Sequence, residues 1–401
     1  MSFYLFVILT EILSIITSQS TVVVVVVVVV TIFMFIHPSD AGTMFGNNNN
    51  HNHTNDDDTS LSTLCSQSII NHPCRCENGK IICDGEYEFN LNGQFERLNR
   101  NVNHHHHHHD HGDGIVFDEF ILNNTEISQL TDDLFGDRIK FKSIKLIDCL
   151  SLRRIAANTF RKSGSFIEQF IVQGESSLGE DQYASDLFDS LNSMVNVEKI
   201  WLNRNRLRSI PTVAFGKKSG FVKLKELNFN KFSSKNGYIK SVGNFAFYYL
   251  NQLQYVYLSH QRINYLPANA FDFEQTSNQT LYIYLGNNKL NNTSFEKGIF
   301  LNSKRPIHLE LYWNPELTYL DEDVFAPFLQ LSPLNRISLQ DNPLVCDCNS
   351  YWIIRDRHKF VNQILNVMCK IGPKQTFNID LISFDKCIKN GRKRNKLIVV
   401  N

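Results

Sequence analysis

Residues 200–215 read Ile200-Trp201-Leu202-Asn203-Arg204-Asn205-Arg206-Leu207-Arg208-Ser209-Ile210-Pro211-Thr212-Val213-Ala214-Phe215, and the fold turns on this stretch. Ile200, Leu202, Leu207, Ile210 and Phe215 frame Asn205 in the template L-x-L-x-x-N-x-L-x-x-L-x-x-x-x-F. Ile200 and Leu202 alternate with Trp201 and Asn203, as in a short strand with one buried face. Asn205 falls where the chain leaves that strand, and its carboxamide can pair backbone groups of the turn that burial would otherwise orphan. Leu207, Ile210 and Phe215 then plug the opposite side of the unit.

A unit of this kind cannot bury both sides of its core alone, so copies must stack. Two further copies stand in register: Phe120, Leu122, Thr125, Ile127, Leu130, Phe135, and then Val256, Leu258, Gln261, Ile263, Leu266, Phe271. Weaker units begin at Ile144, Phe170, Leu227, Ile283, Leu309 and Ile337, with insertions such as Ser233 to Tyr238 in the outer segments. Nine strands 24 to 30 residues apart match the period of leucine-rich repeats. The fold class is therefore α/β: a leucine-rich-repeat solenoid over 115–344, with a curved parallel sheet on its concave face and irregular or short helical segments outside. Asn205, Asn288, Asn314 and Asn342 hold the asparagine position, and Cys149 holds it in the repeat of Ile144, where Cys is a recognised alternative. Cys149 thus reads as a buried structural thiol; a nucleophile needs a neighbouring base and an electropositive setting, and the sequence shows neither. Thirty phenylalanines against three tryptophans and fourteen tyrosines suit a repeat with one Phe per unit in its core.

An open-ended solenoid needs caps, and cysteines stand at both ends. Cys65, Cys74, Cys76 and Cys83 precede the repeats, and Cys346, Cys348, Cys369 and Cys387 follow them. Two even sets behind an export segment read as disulfides, and within each set three connectivities are open. Structural zinc is the competing reading, although each cluster contains C-x-C and not the C-x2-C common in zinc sites. The segment Asn342-Pro343-Leu344-Val345-Cys346-Asp347-Cys348, with Trp352, Cys369 and Cys387 behind it, resembles the C-terminal cap of extracellular leucine-rich-repeat proteins. Cys65 to Cys83 resembles the N-terminal cap, with a first gap of eight residues that is longer than usual. Within that class, Phe117 to Thr125 and the ending from Thr376 to Cys387 are similar to arthropod proteins described as non-catalytic subunits of an oplophorus-type luciferin monooxygenase, and the resemblance covers residues 65 to 388. It implies bridges of Cys65 with Cys76, Cys74 with Cys83, Cys346 with Cys369, and Cys348 with Cys387. The caps are placed at 64–114 and 345–388.

Ahead of them, 1–36 is hydrophobic: Phe3 to Ile16 is apolar apart from Thr10, Glu11 and Ser14, and a second run extends from Thr21 through nine valines to Ile36. The sixteen residues of that run reach about 24 Å as a helix, against a bilayer core of about 30 Å. No Lys or Arg precedes them, so a cleaved signal peptide and a retained signal anchor both stand open. Residues 37–63, rich in Asn, His and Asp, read as a disordered linker with too little apolar surface to offset chain entropy. His104 to His109 with His111, beside Asp110 and Asp113, read as a loop of the N-terminal cap. Imidazoles suit zinc, copper or nickel, but a homopolymeric run has no fixed geometry and reads first as low-complexity expansion, so no metal or cofactor is assigned. Sequons at Asn52, Asn123, Asn278, Asn291 and Asn292 offer glycosylation to an exported chain. The end, 389–401, contains Arg392-Lys393-Arg394 and reads as a solvated basic tail or a processing site.

Lys plus Arg and Asp plus Glu stand at 40 each, so no global field favours nucleic acid. The chain lacks G-x-S-x-G, H-E-x-x-H, a glycine-rich phosphate loop and G-x-G-x-x-G, and no catalytic residue is assigned. What remains is recognition of a protein ligand or receptor outside the cell, by a chain either secreted or tethered through its N-terminal segment. A structural matrix or adhesion protein is one alternative, and a non-catalytic accessory subunit of a secreted oxidoreductase complex, as the resemblance implies, is another. Strand alternation locates the surface: if Ile200 and Leu202 face the core, Trp201 faces the concave side, and so do Tyr255, Tyr257, Tyr282 and Tyr284. With parallel strands about 4.8 Å apart, these residues are expected to form an aromatic patch of the kind enriched at binding hot spots.

Overall fold

In the computed structural model, Ile200 and Leu202 are fully buried while Trp201 between them is half-buried, the alternation of a strand packed on one face. The pattern recurs through a sheet of twelve strands. They are Cys74–Glu77 (β1), Lys80–Gly85 (β2), Ile115–Thr125 (β3), Ile139–Ile147 (β4), Gln169–Gln173 (β5), Lys199–Leu202 (β6), Glu226–Asn228 (β7), Tyr255–Tyr257 (β8), Leu281–Tyr284 (β9), Ile307–Glu310 (β10), Arg336–Ser338 (β11) and Ile364–Leu365 (β12). Strands β1 and β2 pair antiparallel, and all later neighbours pair parallel in chain order. Phe120, Ile144, Phe170, Ile200, Leu227, Val256, Ile283, Leu309 and Ile337 lie side by side across β3 to β11. These are the nine template positions, so the repeat read in the sequence is the repeat of the fold.

The structure describes residues 65, 70–105, 114–216, 220–231, 238–370 and 376–388, all within the unit Asn55–Asn401. The hydrophobic segment 1–36, the linker 37–63, Asn52, His106 to His109 with His111, residues 233–237 of the insertion and the tail 389–401 lie outside the described residues. Among the described residues, no helix is long and apolar enough to cross a membrane.

Two columns of side chains hold the repeats together. Behind the sheet one phenylalanine per unit stacks on the next: ring centroids are 5.5 Å apart for Phe247 and Phe271, 5.6 Å for Phe271 and Phe300, and 5.0 Å for Phe300 and Phe328. At the strand exits, Asn288 Nδ2 donates to Leu258 O (2.9 Å) in the preceding repeat and to Leu285 O (3.0 Å) in its own. Asn314 repeats this with Leu285 O (3.2 Å) and Leu311 O (2.8 Å), and Asn342 with Leu311 O and Leu339 O (both 2.9 Å). Each buried carboxamide thus satisfies carbonyls of two turns at once. Gln261 on Phe229 O and Cys149 on Leu122 O fill the same place elsewhere. Immediately before that position the backbone is left-handed in repeat after repeat: Asn124 (φ 48°), Asp148 (49°), Gly174 (76°), Arg204 (53°), His260 (60°), Asn287 (52°), Trp313 (53°) and Asp341 (57°).

The ends are closed differently. At the N-terminal end β1 and β2 form a hairpin whose turn residues Asn78 and Gly79 both have positive φ (49° and 72°), the geometry for which Asn-Gly is favoured. The region assigned to a cap with a polar loop holds instead a 15-residue helix, Leu91–His105 (α1), so His104 and His105 end a helix. Leu91, Phe95, Leu98 and Val102 are buried along one side of it, and the Asn90 side chain accepts from Gly93 N (2.8 Å) at its start. The helical spacing of those four apolar residues was present in the sequence but was diluted by the asparagines between them. Cys65 is bonded to Cys76 and Cys74 to Cys83. At the other end Cys346 is bonded to Cys369 and Cys348 to Cys387, around the short helix Tyr351–Arg355 (α2). Its Trp352 is buried and donates from Nε1 to Leu320 O (3.1 Å), locking the cap to the last repeats.

Candidate functional site

Because the strands are short, parallel and in register, each outward position makes a row across the sheet. One row runs Trp201, Asn228, Tyr257, Tyr284, Glu310, Ser338; the other runs Lys199, Glu226, Tyr255, Tyr282, His308, Arg336. Strand spacing therefore brings tyrosine rings face to face. Tyr257 and Tyr284 stack at 4.6 Å with planes 8° apart, and Tyr255 and Tyr282 at 5.3 Å and 16°. Tyr255 and Tyr257 stack at 6.2 Å within β8, and the His308 ring continues the row 5.3 Å from Tyr282. All four tyrosines are half-buried. Burial, and after it the Glu310 carboxylate, pushes the Tyr284 phenol above its ordinary value, which keeps it protonated. His308 Nε2 lies 3.0 Å from Glu310 Oε1 but out of line for a hydrogen bond.

The expected patch of five aromatic residues is divided. Strand β7 carries Glu226 and Asn228, and it separates Trp201 from the tyrosines. Trp201 Nε1 donates to Glu226 Oε1 (2.8 Å), and Lys199 Nζ lies 4.9 Å from the centre of its ring. A charged strand and not an aromatic one occupies the middle position, so the continuous surface is the tyrosine quartet with His308.

Three residues beside the quartet went unread in the sequence: His308, Tyr312 and Trp313. Tyr312 follows β10 and its ring lies on the backbone of Gly286, where a Cβ would sit 2.1 to 2.3 Å from ring atoms. Trp313 is 56% exposed and occupies the left-handed turn position, which is unusual for a bulky residue. Its place directly before Asn314 in the template was the available signal.

Elsewhere the candidate chemistry is quiet. Cys149 is buried, and burial pushes its thiol up to about 11, so it is not a thiolate at neutral pH. Among the described residues no group of three or more His, Cys, Asp or Glu side chains is placed to hold a metal ion. Of the sequons, Asn278 is exposed, Asn123 is half-buried on the open face of β3, and Asn291 and Asn292 are half-buried in the segment after β9.

No family model matches the chain. The Oplophorus-luciferin 2-monooxygenase non-catalytic subunit of Oplophorus gracilirostris is 23% identical over 274 residues, which cover 65% of this chain and 72% of that protein. Among solved structures, human trophoblast glycoprotein overlays 79% of this chain and 98% of its own with a TM-score of 0.37 and 11% identity. A chain of the octameric complex of latrophilin 3, Unc5D and FLRT2 overlays 77% of this chain and 97% of its own, with a TM-score of 0.46 and 15% identity. At these scores neither overlay carries weight for fold or function. By its own strand register, its phenylalanine and asparagine columns and the disulfides at both ends, the chain is a leucine-rich-repeat solenoid with disulfide-bonded caps, similar in sequence to that non-catalytic subunit.

Proposed function

We propose that the chain is a non-enzymatic extracellular scaffold that binds a protein partner through the tyrosine face of its sheet. The observation that carries this reading is the stacked quartet Tyr255, Tyr257, Tyr282 and Tyr284, extended by His308. Tyrosine offers a large contact area with few rotatable bonds. Stacking already restricts these rings, so docking orders them at less entropic cost. Four disulfides support a place outside the reducing cytosol. Similarity to a subunit named as non-catalytic supports the absence of enzymatic activity, as does the protonated, buried state of Cys149. That similarity also favours a second reading, an accessory subunit of a secreted oxidoreductase complex, in which the partner is the enzyme itself.

The test immobilises the full chain, the Tyr257→Ala/Tyr284→Ala double variant and a Gln252→Ala control at an exposed site away from the sheet, and passes extracellular fluid of the source tissue over each. Proteins held by the wild type and by the control but lost from the double variant are expected, with thermal midpoints nearly equal. If the folded double variant retains every protein the wild type retains, the tyrosine face is not the binding surface. Oxidase or monooxygenase activity in the retained fraction favours the second reading.

A further inference from the structure

Asn291-Asn292-Thr293-Ser294 contains two overlapping sequons, Asn291 with Thr293 and Asn292 with Ser294, and the folded chain treats their two asparagines in opposite ways. The carboxamide of Asn292 is engaged through both its atoms: Oδ1 accepts from Thr318 N (2.8 Å) and Tyr319 N (3.0 Å), while Nδ2 donates to Thr318 Oγ1 (2.8 Å). These three bonds stitch the segment after β9 to the segment after β10. The hydroxyl its sequon needs is also sequestered, because Ser294 is 1% exposed and its Oγ accepts from Asn291 N (2.8 Å). A sugar on Asn292 Nδ2 is crowded against Thr318, with which that nitrogen is bonded, beside the Oδ1 that two backbone amides depend on.

Asn291 is arranged the other way. Its Oδ1 accepts from Thr293 N and Thr293 Oγ1, both at 2.9 Å and both inside the turn, and Thr293 is exposed. Among the described residues, Asn291 Nδ2 donates no hydrogen bond. Substituting that nitrogen therefore leaves every bond of the turn in place.

We infer that this loop carries one N-linked glycan, on Asn291 and not on Asn292. The inference rests on the proposed export of the chain. In the transfer, Asn291 Nδ2 forms a bond to C1 of an oligosaccharide as the C1–O bond to its lipid-pyrophosphate carrier breaks; Nδ2 gives up one proton and the carrier leaves as the pyrophosphate. The linkage adds bulk at a site accessible beside Thr293 and keeps the Asn292 stitch between repeats intact.

The experiment expresses the full chain in eukaryotic secretory cells and recovers it from the medium or the cell surface. Enzymatic release of the glycan in heavy-oxygen water converts each occupied asparagine to labelled aspartate, and peptide mapping reads the site. Label on Asn291 alone is expected. Thr293→Ala, which destroys only the Asn291 sequon, is expected to remove the loop's glycan completely, and Ser294→Ala, which destroys only the other, is expected to keep it. Label on Asn292, or a glycan that persists in Thr293→Ala, overturns the assignment. Chain recovered outside the cell with paired cap cysteines but bare at Asn291 overturns the glycan alone, whereas chain confined to the cytosol with reduced caps overturns export and the glycan together.

Discussion

Leu202 and Asn203 are neighbours with opposite burdens. Leu202 is fully buried, so Leu202→Ala is expected to cost about 2–5 kcal/mol through lost burial and a cavity between stacked turns. Asn203 keeps a buried Oδ1 without a hydrogen-bond partner, so Asn203→Ala removes an unmet acceptor and is expected to leave stability unchanged or slightly higher. Urea midpoints compare the two, and equal losses would contradict the strand register. Trp313→Gly relieves a left-handed conformation that costs about 1–2 kcal/mol for a side chain, less about 0.5–1 kcal/mol of added chain entropy. A thermal midpoint no lower than that of the wild type, with weaker retention of the partner, is the expected pair of results. Glu119 adds a pH dependence: it is buried with Lys80 at 3.2 Å and Lys145 at 2.5 Å. Burial works to raise its pKa, but hydrogen bonds from the two ammonium groups outweigh that and hold the carboxyl below its ordinary value. Its stabilisation is complete above the unfolded value of about 4.3 and is lost as pH falls through the lower folded value. Urea midpoints measured from neutral pH downward are expected to fall more steeply for the wild type than for Glu119→Gln. At this scale the sequence told inward from outward at Leu202 and at the tyrosines, because alternation is local. That β7 parts Trp201 from Tyr257 was also legible, since the unit beginning at Leu227 puts Asn228 at the outward position between them; the expected five-residue patch passed over that strand.

Among elements, α1 is the one the sequence hid. Its Phe95 meets Phe135 edge-on at 4.8 Å and Phe120 at 5.4 Å, so the helix seals the first repeats where no earlier unit exists to stack on them. Phe95→Ala is expected to cost about 3–5 kcal/mol and to speed hydrogen exchange in β3 and β4 before it does so in β9 or β10. The asparagine column makes a different demand. Asn314 Nδ2 serves Leu285 O and Leu311 O, and its Oδ1 accepts from Asn288 N and Leu290 N. Removing it leaves up to four backbone groups of two turns to find water or go without, at about 1–3 kcal/mol for each group that stays unpaired. Asn314→Ala should therefore destabilise more than loss of its apolar contacts alone, and Asn314→Asp, which keeps an acceptor but not the donors, should recover part of the loss. The nine strands were legible because their period repeats nine times over; α1 occurs once, and a single amphipathic pattern among asparagines has no second copy to confirm it.

For the molecule as a whole, stacking makes stability a sum of repeats and the contacts between neighbours, so damage at one end need not be felt at the other. Cys348→Ser with Cys387→Ser is expected to lower stability by about 2–5 kcal/mol and to raise hydrogen exchange first in Tyr351–Arg355 and β11, with β3 to β5 protected as before. Exchange rising uniformly along the sheet would mean that the solenoid melts as one unit. The left-handed turn before each asparagine position has a consequence on this scale. The conformation is imposed by the turn and not by the residue, so each side chain there carries its own backbone cost, none for Gly174 and most for a bulky residue such as Trp313. Along one edge the molecule spells Asn124, Asp148, Gly174, Arg204, His260, Asn287, Trp313, Asp341: a line of text in which every letter but Gly174, where a Cβ would sit 1.9 Å from Asp148 Oδ1, can be changed without disturbing the grammar that holds the page together.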